Sequence, residues 1–180
     1  MNNSHVTTEA KQQAIISWLA QRCGDSGSLG KTAIQKLIYI LTYAKNVRTG
    51  YDFSLYTYGP YSKNLQGDLD TADYLKAISL TYIEDENRYV VEKSAKTDQF
   101  IAKAGDFIAE NTESLEWVAK NLGTKSARYL ELFSTLHYII TREKVEGDNS
   151  VIDRLIEVKP KFDRRETSEC LSEVKRLTLN

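Results

Sequence analysis

The sequence has few of the residues that mark a disulfide-stabilised or metal-binding protein. Its 180 residues include two cysteines, two histidines and two prolines. Cys23 and Cys170 lie far apart inside amphipathic patterns, which indicates buried thiols in a reducing cytoplasm rather than a disulfide framework. With only His5 and His137, and no spacing typical of metal ligands, a metal site is not expected. We therefore expect neither a metal ion nor a cofactor.

Long apolar runs are also missing. No stretch approaches the roughly 20 residues that span a bilayer. The first residues, 1–6, lack the basic start and the apolar stretch of a signal peptide. Hydrophobic residues make up 41% of the chain and charged residues 27%, which is ordinary for a globular protein. These features predict one cytoplasmic domain, or a domain with a helical extension, and no association with a membrane.

Charge is nearly balanced overall but unevenly distributed. The net charge is −1, while residues 1–60 carry +3, residues 61–120 carry −5 and residues 121–180 carry +1. Proteins that bind duplex nucleic acid gain much of their affinity from Lys and Arg on phosphates. The acidic middle third therefore disfavours nucleic acid as the partner.

The periodicity of apolar residues predicts a mainly α-helical fold. The first half reads as helices over 8–23, 31–47 and 62–78, with a short strand over 52–58 and a β-hairpin over 80–92. This order is that of a winged helix-turn-helix. Helical stripes follow over 100–108, 115–122, 126–142, 150–158 and 163–177. We therefore expect a winged-helix-like region, residues 8–93, and a helical region, residues 94–180, packed together as one compact domain.

Tyrosine is concentrated in one part of the chain. Nine of the eleven tyrosines lie between Leu37 and Tyr89, around the run Tyr56-Thr57-Tyr58-Gly59-Pro60-Tyr61-Ser62. Glycine and proline at its centre predict a sharp bend, against which Tyr39 and Tyr43 of the second helix could pack. Because tyrosine joins an apolar ring to a polar tip, the cluster suits either a structural lock or a binding surface.

Two of these segments carry a family resemblance. The helix Gln35-Lys36-Leu37-Ile38-Tyr39 and the later Tyr58-Gly59-Pro60-Tyr61-Ser62 resemble the Panacea domain of SocA-like antitoxins over residues 31–78. The chain is more similar still to the YwgA-like group of prokaryotic proteins, whose pattern extends to residues 130–138 and 159–162. Panacea domains usually have tryptophan where this chain has Tyr56. The resemblance implies a mainly helical, antitoxin-like or regulatory module, with no known reaction and no catalytic residues.

The resemblance and the charge distribution together predict a surface that binds protein. The candidate residues are aromatic or acidic and lie in the bend, the third helix and the hairpin tip: Tyr56, Tyr58, Tyr61, Asp68, Asp70, Asp73, Glu84, Asp85 and Glu86. Acidic faces with aromatic anchors suit a basic partner, such as a toxin that acts on nucleic acid. The main alternative is a DNA-binding winged-helix regulator that uses the second helix or a basic surface formed on dimerisation.

An enzyme is the third possibility, and the motifs for it are weak. Ser134 and His137 share a helix, but no orienting carboxylate or oxyanion site accompanies them. The segment ending Gly30-Lys31-Thr32 resembles a phosphate-binding loop, yet Asp25 stands where such a loop needs glycine. We therefore expect this segment to be a turn between two helices, with Lys31 and Thr32 near the start of the second.

Overall fold

The computed structural model describes residues 6–27 and 29–179, so His5 and Ser28 lie outside the described residues. The fold is mainly α-helical, with 64% of residues in helices. Within the described ranges the helices are α1 (Thr8–Cys23), α2 (Lys31–Tyr43), α3 (Lys63–Tyr74), α4 (Thr97–Ala102), α5 (Gly105–Glu110), α6 (Thr112–Leu122), α7 (Ala127–Thr141), α8 (Asp148–Val158) and α9 (Arg164–Thr178). The strands are β1 (Ser54–Tyr56), β2 (Gly59–Tyr61), β3 (Ile78–Ile83) and β4 (Arg88–Lys93).

Several helix starts follow from local capping. The side chains of Thr7, Ser62, Ser126 and Asp163 each accept a hydrogen bond from a backbone amide three residues later. Such caps satisfy amides that have no partner inside the helix. The predicted N-caps at Ser62 and Asp163 are confirmed. The predicted bounds of α1 are confirmed as well.

Helices α2 and α3 end earlier than the sequence pattern predicts. The predicted ends were Val47 and Ile78, whereas the helices end at Tyr43 and Tyr74. After each end a residue takes a left-handed backbone conformation, Asn46 at φ 56° and Lys76 at φ 63°. A left-handed residue reverses the chain and lets later amides bond the last carbonyls of the helix. The apolar residues beyond the helix ends, such as Val47 and Ile78, are buried in the core, so the apolar pattern continues although the helix has ended.

The predicted bend at Gly59-Pro60 is instead part of a strand. Strands β1 and β2 form an antiparallel hairpin in which Leu55 pairs with Pro60 and Tyr56 with Gly59. The reversal occurs one step earlier, at Thr57 and Tyr58. We call residues 54–61 the tyrosine hairpin. Its tip is therefore a tyrosine rather than the Gly-Pro pair.

A second antiparallel hairpin, formed by β3 and β4, agrees with the predicted one. Its pairing runs from Ile78 opposite Lys93 to Ile83 opposite Arg88. A 3₁₀ turn over Glu84–Glu86 joins the strands, and Asn87 closes it with a left-handed φ of 48°. The two hairpins form separate two-stranded sheets.

The second half is helical, as predicted, with one difference in its segments. The single stripe expected over 100–108 is divided into α4 and α5, because the chain leaves helical geometry at Ala104. No helix in the described part of the chain is long and apolar enough to cross a membrane.

Two helices lie at the centre of the core and are enclosed on all sides. Every residue from Ala33 to Leu41 of α2 is buried, and so is every residue from Leu130 to His137 of α7. The two helices pack against each other, and both contact β2. A single cluster of buried apolar side chains draws on residues before and after position 93. Polar residues on α2 and α7 are therefore expected to find partners inside the protein, although Thr135 Oγ1 and Glu131 Oε1 make no hydrogen bond to the described residues.

Candidate binding site

Gln35 joins the centre of the core to the tyrosine hairpin. Its side-chain Nε2 donates a hydrogen bond to the carbonyl of Ser62, and its Oε1 accepts one from the amide of Ser62, both at 2.9 Å. The side-chain amide of Gln35 thus pairs with the backbone N–H and C=O of Ser62, as the backbone of a neighbouring strand would. Since these groups are buried, the pairing fixes the end of β2 and the start of α3.

Lys36 makes the second contact between α2 and the hairpin. The side chain is only 2% exposed, and its Nζ donates a hydrogen bond of 2.7 Å to the carbonyl of Pro60. Burial lowers the pKa of this ammonium group to about 7, because the charged form has lost its water. Proline lacks an amide hydrogen but keeps its carbonyl, which is the group used here.

A third contact reaches the hairpin from the other side. Lys159, in the segment between α8 and α9, donates hydrogen bonds from its Nζ to the carbonyls of Tyr56 and Thr57. The same Nζ lies 3.8 Å from the buried carboxylate of Glu131 on α7, and Lys161 Nζ lies 2.7 Å from that carboxylate. Burial lowers the pKa of Lys159. The hairpin backbone is therefore held by lysines on two sides.

Gly59 explains why the hairpin can lie so close to α7. Its φ is +85°, which side chains rarely allow, and a Cβ there would lie 2.9 Å from Thr135 Oγ1 and 3.4 Å from the carbonyl of Glu131. Only glycine fits this contact without displacement. Of the motif residues, Gln35 and Lys36 thus meet the segment from Gly59 to Ser62 in one place, whereas Leu37 and Tyr39 are buried in the core.

While the hairpin backbone is fixed, its tyrosine side chains are open to solvent. Tyr56 is 65% exposed and Tyr58 60% exposed, and the ring of Tyr56 lies against that of Tyr61 with centroids 5.7 Å apart. Lys161 Nζ lies 5.3 Å from the centroid of the Tyr58 ring. Tyr56 and Tyr58 thus form part of the protein surface, and their role in binding stays a prediction.

A pocket of about 250 Å³ lies between the hairpin and the first turns of α2. We call it the tyrosine pocket. It is lined by tyrosines of the hairpin and by polar residues of α2 and α3: Lys31, Thr32, Gln35, Lys36, Tyr56, Tyr58, Tyr61 and Gln66. None of these residues has a carboxylate. As expected, Lys31 and Thr32 begin α2.

The predicted acidic residues do not form one open surface. Asp68 accepts a hydrogen bond of 2.8 Å from the hydroxyl of Tyr51, and Asp73 accepts one of 2.9 Å from the amide of Leu80. Both carboxylates therefore support the fold. Asp70 lies at the surface, 2.6 Å from Lys31 Nζ.

At the tip of the second hairpin, Glu84, Asp85 and Glu86 are exposed. Glu86 is paired with Arg88. Three exposed acidic residues are Glu84 and Asp85 of this tip and Asp70 of α3, whose carboxylate is paired with Lys31. We call these three the acidic rim.

Tyr39 and His137 form a buried pair away from the tyrosine pocket. The Tyr39 hydroxyl lies 3.0 Å from His137 Nδ1, and the ring packs against Phe53 rather than the hairpin tyrosines. The predicted packing of Tyr39 on the bend is therefore not observed. Burial lowers the pKa of His137 to about 4. Ser134 Oγ donates to a backbone carbonyl, that of Glu131, so the serine and histidine do not form a catalytic pair.

Glu131, Thr135 and Lys159 are residues of this region whose roles the sequence did not reveal. Each lies at least 70 positions from the hairpin along the chain, so no local spacing indicates the contact. The available signals were residues 130–138 and 159–162, both of which belong to the YwgA-like pattern. Within the described residues, no group of three His, Cys, Asp or Glu side chains is placed to hold a metal ion.

Comparison with known proteins does not assign this arrangement to a family. No protein-family model matches the chain, and no curated protein is detectably similar to it. The resemblance to Panacea and YwgA-like proteins therefore remains a prediction from the motif residues.

Proposed function

We propose that this chain is a non-enzymatic protein-binding module, antitoxin-like or an adaptor, that binds a basic partner through the tyrosine hairpin and the acidic rim. The observation that carries the proposal is an exposed pair of tyrosines, Tyr56 and Tyr58, on a backbone held by Gln35, Lys36 and Lys159. Aromatic anchors are enriched among the residues that dominate binding energies. A fixed backbone reduces the ordering cost of binding.

The charges of the acidic rim set the expected chemistry of the partner. Asp70, Glu84 and Asp85 provide accessible carboxylates, which favour encounter with a cationic surface. A toxin that binds nucleic acid has such a surface. Asp68 and Asp73 are left out of this proposal, since their carboxylates bond within the fold.

The spatial meeting of the motif residues supports the Panacea-type resemblance. Gln35 hydrogen-bonds to the backbone of Ser62, and Lys36 to the backbone of Pro60. These contacts give a structural reason for the two halves of the motif to occur together. The order of α1, α2, α3 and the β3–β4 hairpin also suits a winged-helix arrangement, with α3 in the recognition position. In that arrangement the wing tip would be Glu84–Glu86, which repels phosphate and disfavours the DNA-binding alternative.

The test is a capture experiment with the immobilised chain. The partner is taken either from a lysate of the native host or as the purified product of the adjacent gene. Tyr58→Ala should weaken binding by about 2 kcal/mol or more, roughly thirtyfold. Asp70→Lys should weaken it through repulsion. Tyr74→Ala provides a matched control, because Tyr74 is also an exposed tyrosine but lies at the far end of α3.

Unchanged capture by Tyr58→Ala and Asp70→Lys would show that the proposed surface is wrong. Tight, salt-sensitive retention of the unmodified chain on random duplex DNA would instead favour the DNA-binding alternative.

A further inference from the structure

We infer that the tyrosine pocket is a binding site for a small anion carried on a flat ring, with a carboxylate or a phosphate as its charged group. Two lysines, Lys31 and Lys36, and three tyrosines are among the residues that line the site. This inference does not rest on the proposed function, because it concerns a small ligand rather than a protein partner.

The buried lysine supplies the first reason. Lys36 lines the pocket and is almost completely buried, yet the hydrogen bond to Pro60 is the one that its Nζ makes among the described residues. An ammonium group has three N–H donors, so donors remain without an acceptor. Buried donors without partners cost free energy, which an anionic acceptor would recover. The pKa of Lys36 is lowered to about 7 because burial outweighs the opposing effect of the Glu131 carboxylate.

The other polar lining groups are also donors or neutral. Within the described residues, the side chains of Thr32 and Gln66 make no hydrogen bond to protein, although both are partly buried. Lys31 and Thr32 form the first turn of α2, where the helix dipole adds partial positive charge. Since no carboxylate lines the pocket, its chemistry favours a ligand that accepts hydrogen bonds and is negatively charged.

Lys31 already forms an ion pair with a carboxylate, that of Asp70. Its carboxylate lies 2.6 Å from Lys31 Nζ, at the edge of the pocket rather than among its lining residues. A ligand anion would compete with this carboxylate for the lysine. Removal of the Asp70 charge should therefore tighten ligand binding, whereas the basic partner proposed above should bind less well without it. The opposite signs separate the two proposals.

The walls indicate the shape of the ligand. Three tyrosine rings line the pocket, and flat aromatic surfaces favour stacking with a planar group. A volume of about 250 Å³ admits one ring with its charged substituent and not an extended chain. The ligand class is thus that of aromatic carboxylates and aryl phosphates.

The experiment is a calorimetric titration of the full chain at low salt with phenyl phosphate and benzoate. The matched neutral probes are phenol and benzamide, and inorganic phosphate is the anion without a ring. We expect at least one ring-bearing anion to bind with a dissociation constant below about 1 mM, and at least tenfold more tightly than its neutral counterpart. The comparison of phenyl phosphate with benzoate identifies the charged group.

Variants locate the site. Lys31→Met and Thr32→Val should each weaken binding at least threefold, and Asp70→Asn should strengthen it, while Tyr74→Ala should leave it unchanged. Lys36→Met should abolish binding, provided that its circular dichroism shows a folded protein. If Lys36→Met does not fold, Lys31→Met and Thr32→Val test whether the ligand binds in the tyrosine pocket. Equal affinity for the neutral probes or for inorganic phosphate would overturn the inference. So would binding that Lys31→Met and Thr32→Val leave unchanged.

Discussion

At the scale of single residues, the protein depends on a few positions where only one side chain fits. Gly59 combines a left-handed φ with contact between the hairpin and α7. Lys36 is a basic side chain whose amine is buried in the core. Each position limits what can replace it, and each limit can be measured through stability rather than function.

Gly59→Ala should destabilise the protein by about 2–3 kcal/mol, because the new methyl group would be strained at φ +85° and would press against Thr135 and the Glu131 carbonyl. Chemical denaturation measures the change. Gly67→Ala is the matched control, since Gly67 lies within α3 and a Cβ there meets nothing within 4 Å. That change should stabilise the protein by about 0.5–1 kcal/mol. Equal effects of the two substitutions would contradict the close contact at Gly59.

The lowered pKa of Lys36 should make stability depend on pH. In the unfolded chain this lysine keeps its proton up to its ordinary pKa of 10.5, whereas in the folded protein it loses the proton near pH 7. The unfolded state therefore binds more protons above pH 7, and stability rises with pH. Relative to Lys36→Met, the unfolding free energy of the unmodified protein should rise between pH 7 and 8.5, by at most about 1.4 kcal/mol per pH unit.

Lys63→Met, which removes an exposed lysine at the start of α3, controls for the loss of one charge and should keep this pH dependence. Parallel curves for the unmodified protein and Lys36→Met would show that Lys36 is not desolvated in the folded state.

At the scale of elements, the tyrosine hairpin is too short to be stable alone. It has three residues per strand, and isolated two-stranded hairpins are at best marginally stable in water. Its order must come from the side chains of Gln35, Lys36 and Lys159. The surface that carries Tyr56 and Tyr58 is therefore fixed by the core and not by its own pairing.

Gln35→Met should leave the buried amide and carbonyl of Ser62 without partners, at a cost of about 2–4 kcal/mol. Hydrogen exchange should report faster exchange of the amides in residues 54–62, beyond any change in the β3–β4 hairpin. Gln66→Met is the control, because the Gln66 side chain makes no hydrogen bond within the described structure and the change should cost less than about 0.5 kcal/mol. A uniform increase of exchange over the whole chain would argue against a local role of Gln35.

Features of the fold that depend on neighbouring residues could be predicted from the sequence. Caps such as Ser62, the bounds of α1 and the β3–β4 hairpin follow from local patterns, and all three agree with the structure. The predicted ends of α2 and α3 were wrong, because apolar residues continue past left-handed turns. The contact of Lys159 with the hairpin joins positions more than 100 residues apart, so no spacing rule could have revealed it.

At the scale of the whole molecule, α7 connects the two halves of the chain. It packs on α2 and on β2, and its Glu131 binds lysines of the segment before α9. The core is correspondingly one cluster of residues from both halves. Such connectivity favours unfolding in a single step, although the sequence predicts two regions that meet near residue 93.

Two buried cysteines, one in each half, provide the means to test this cooperativity. Cys23 lies at the end of α1 and Cys170 in α9, and burial raises their pKa values to about 11 and about 12, which suppresses thiolate formation in the folded state. Thiol labelling therefore requires opening of the surrounding structure. If the halves unfold together, labelling across low denaturant concentrations, read by mass spectrometry of the two peptides, should give both thiols the same opening free energy. Labelling of Cys170 at a much lower free energy than Cys23 would mean that α9 opens independently and that the boundary near residue 93 separates two stability units.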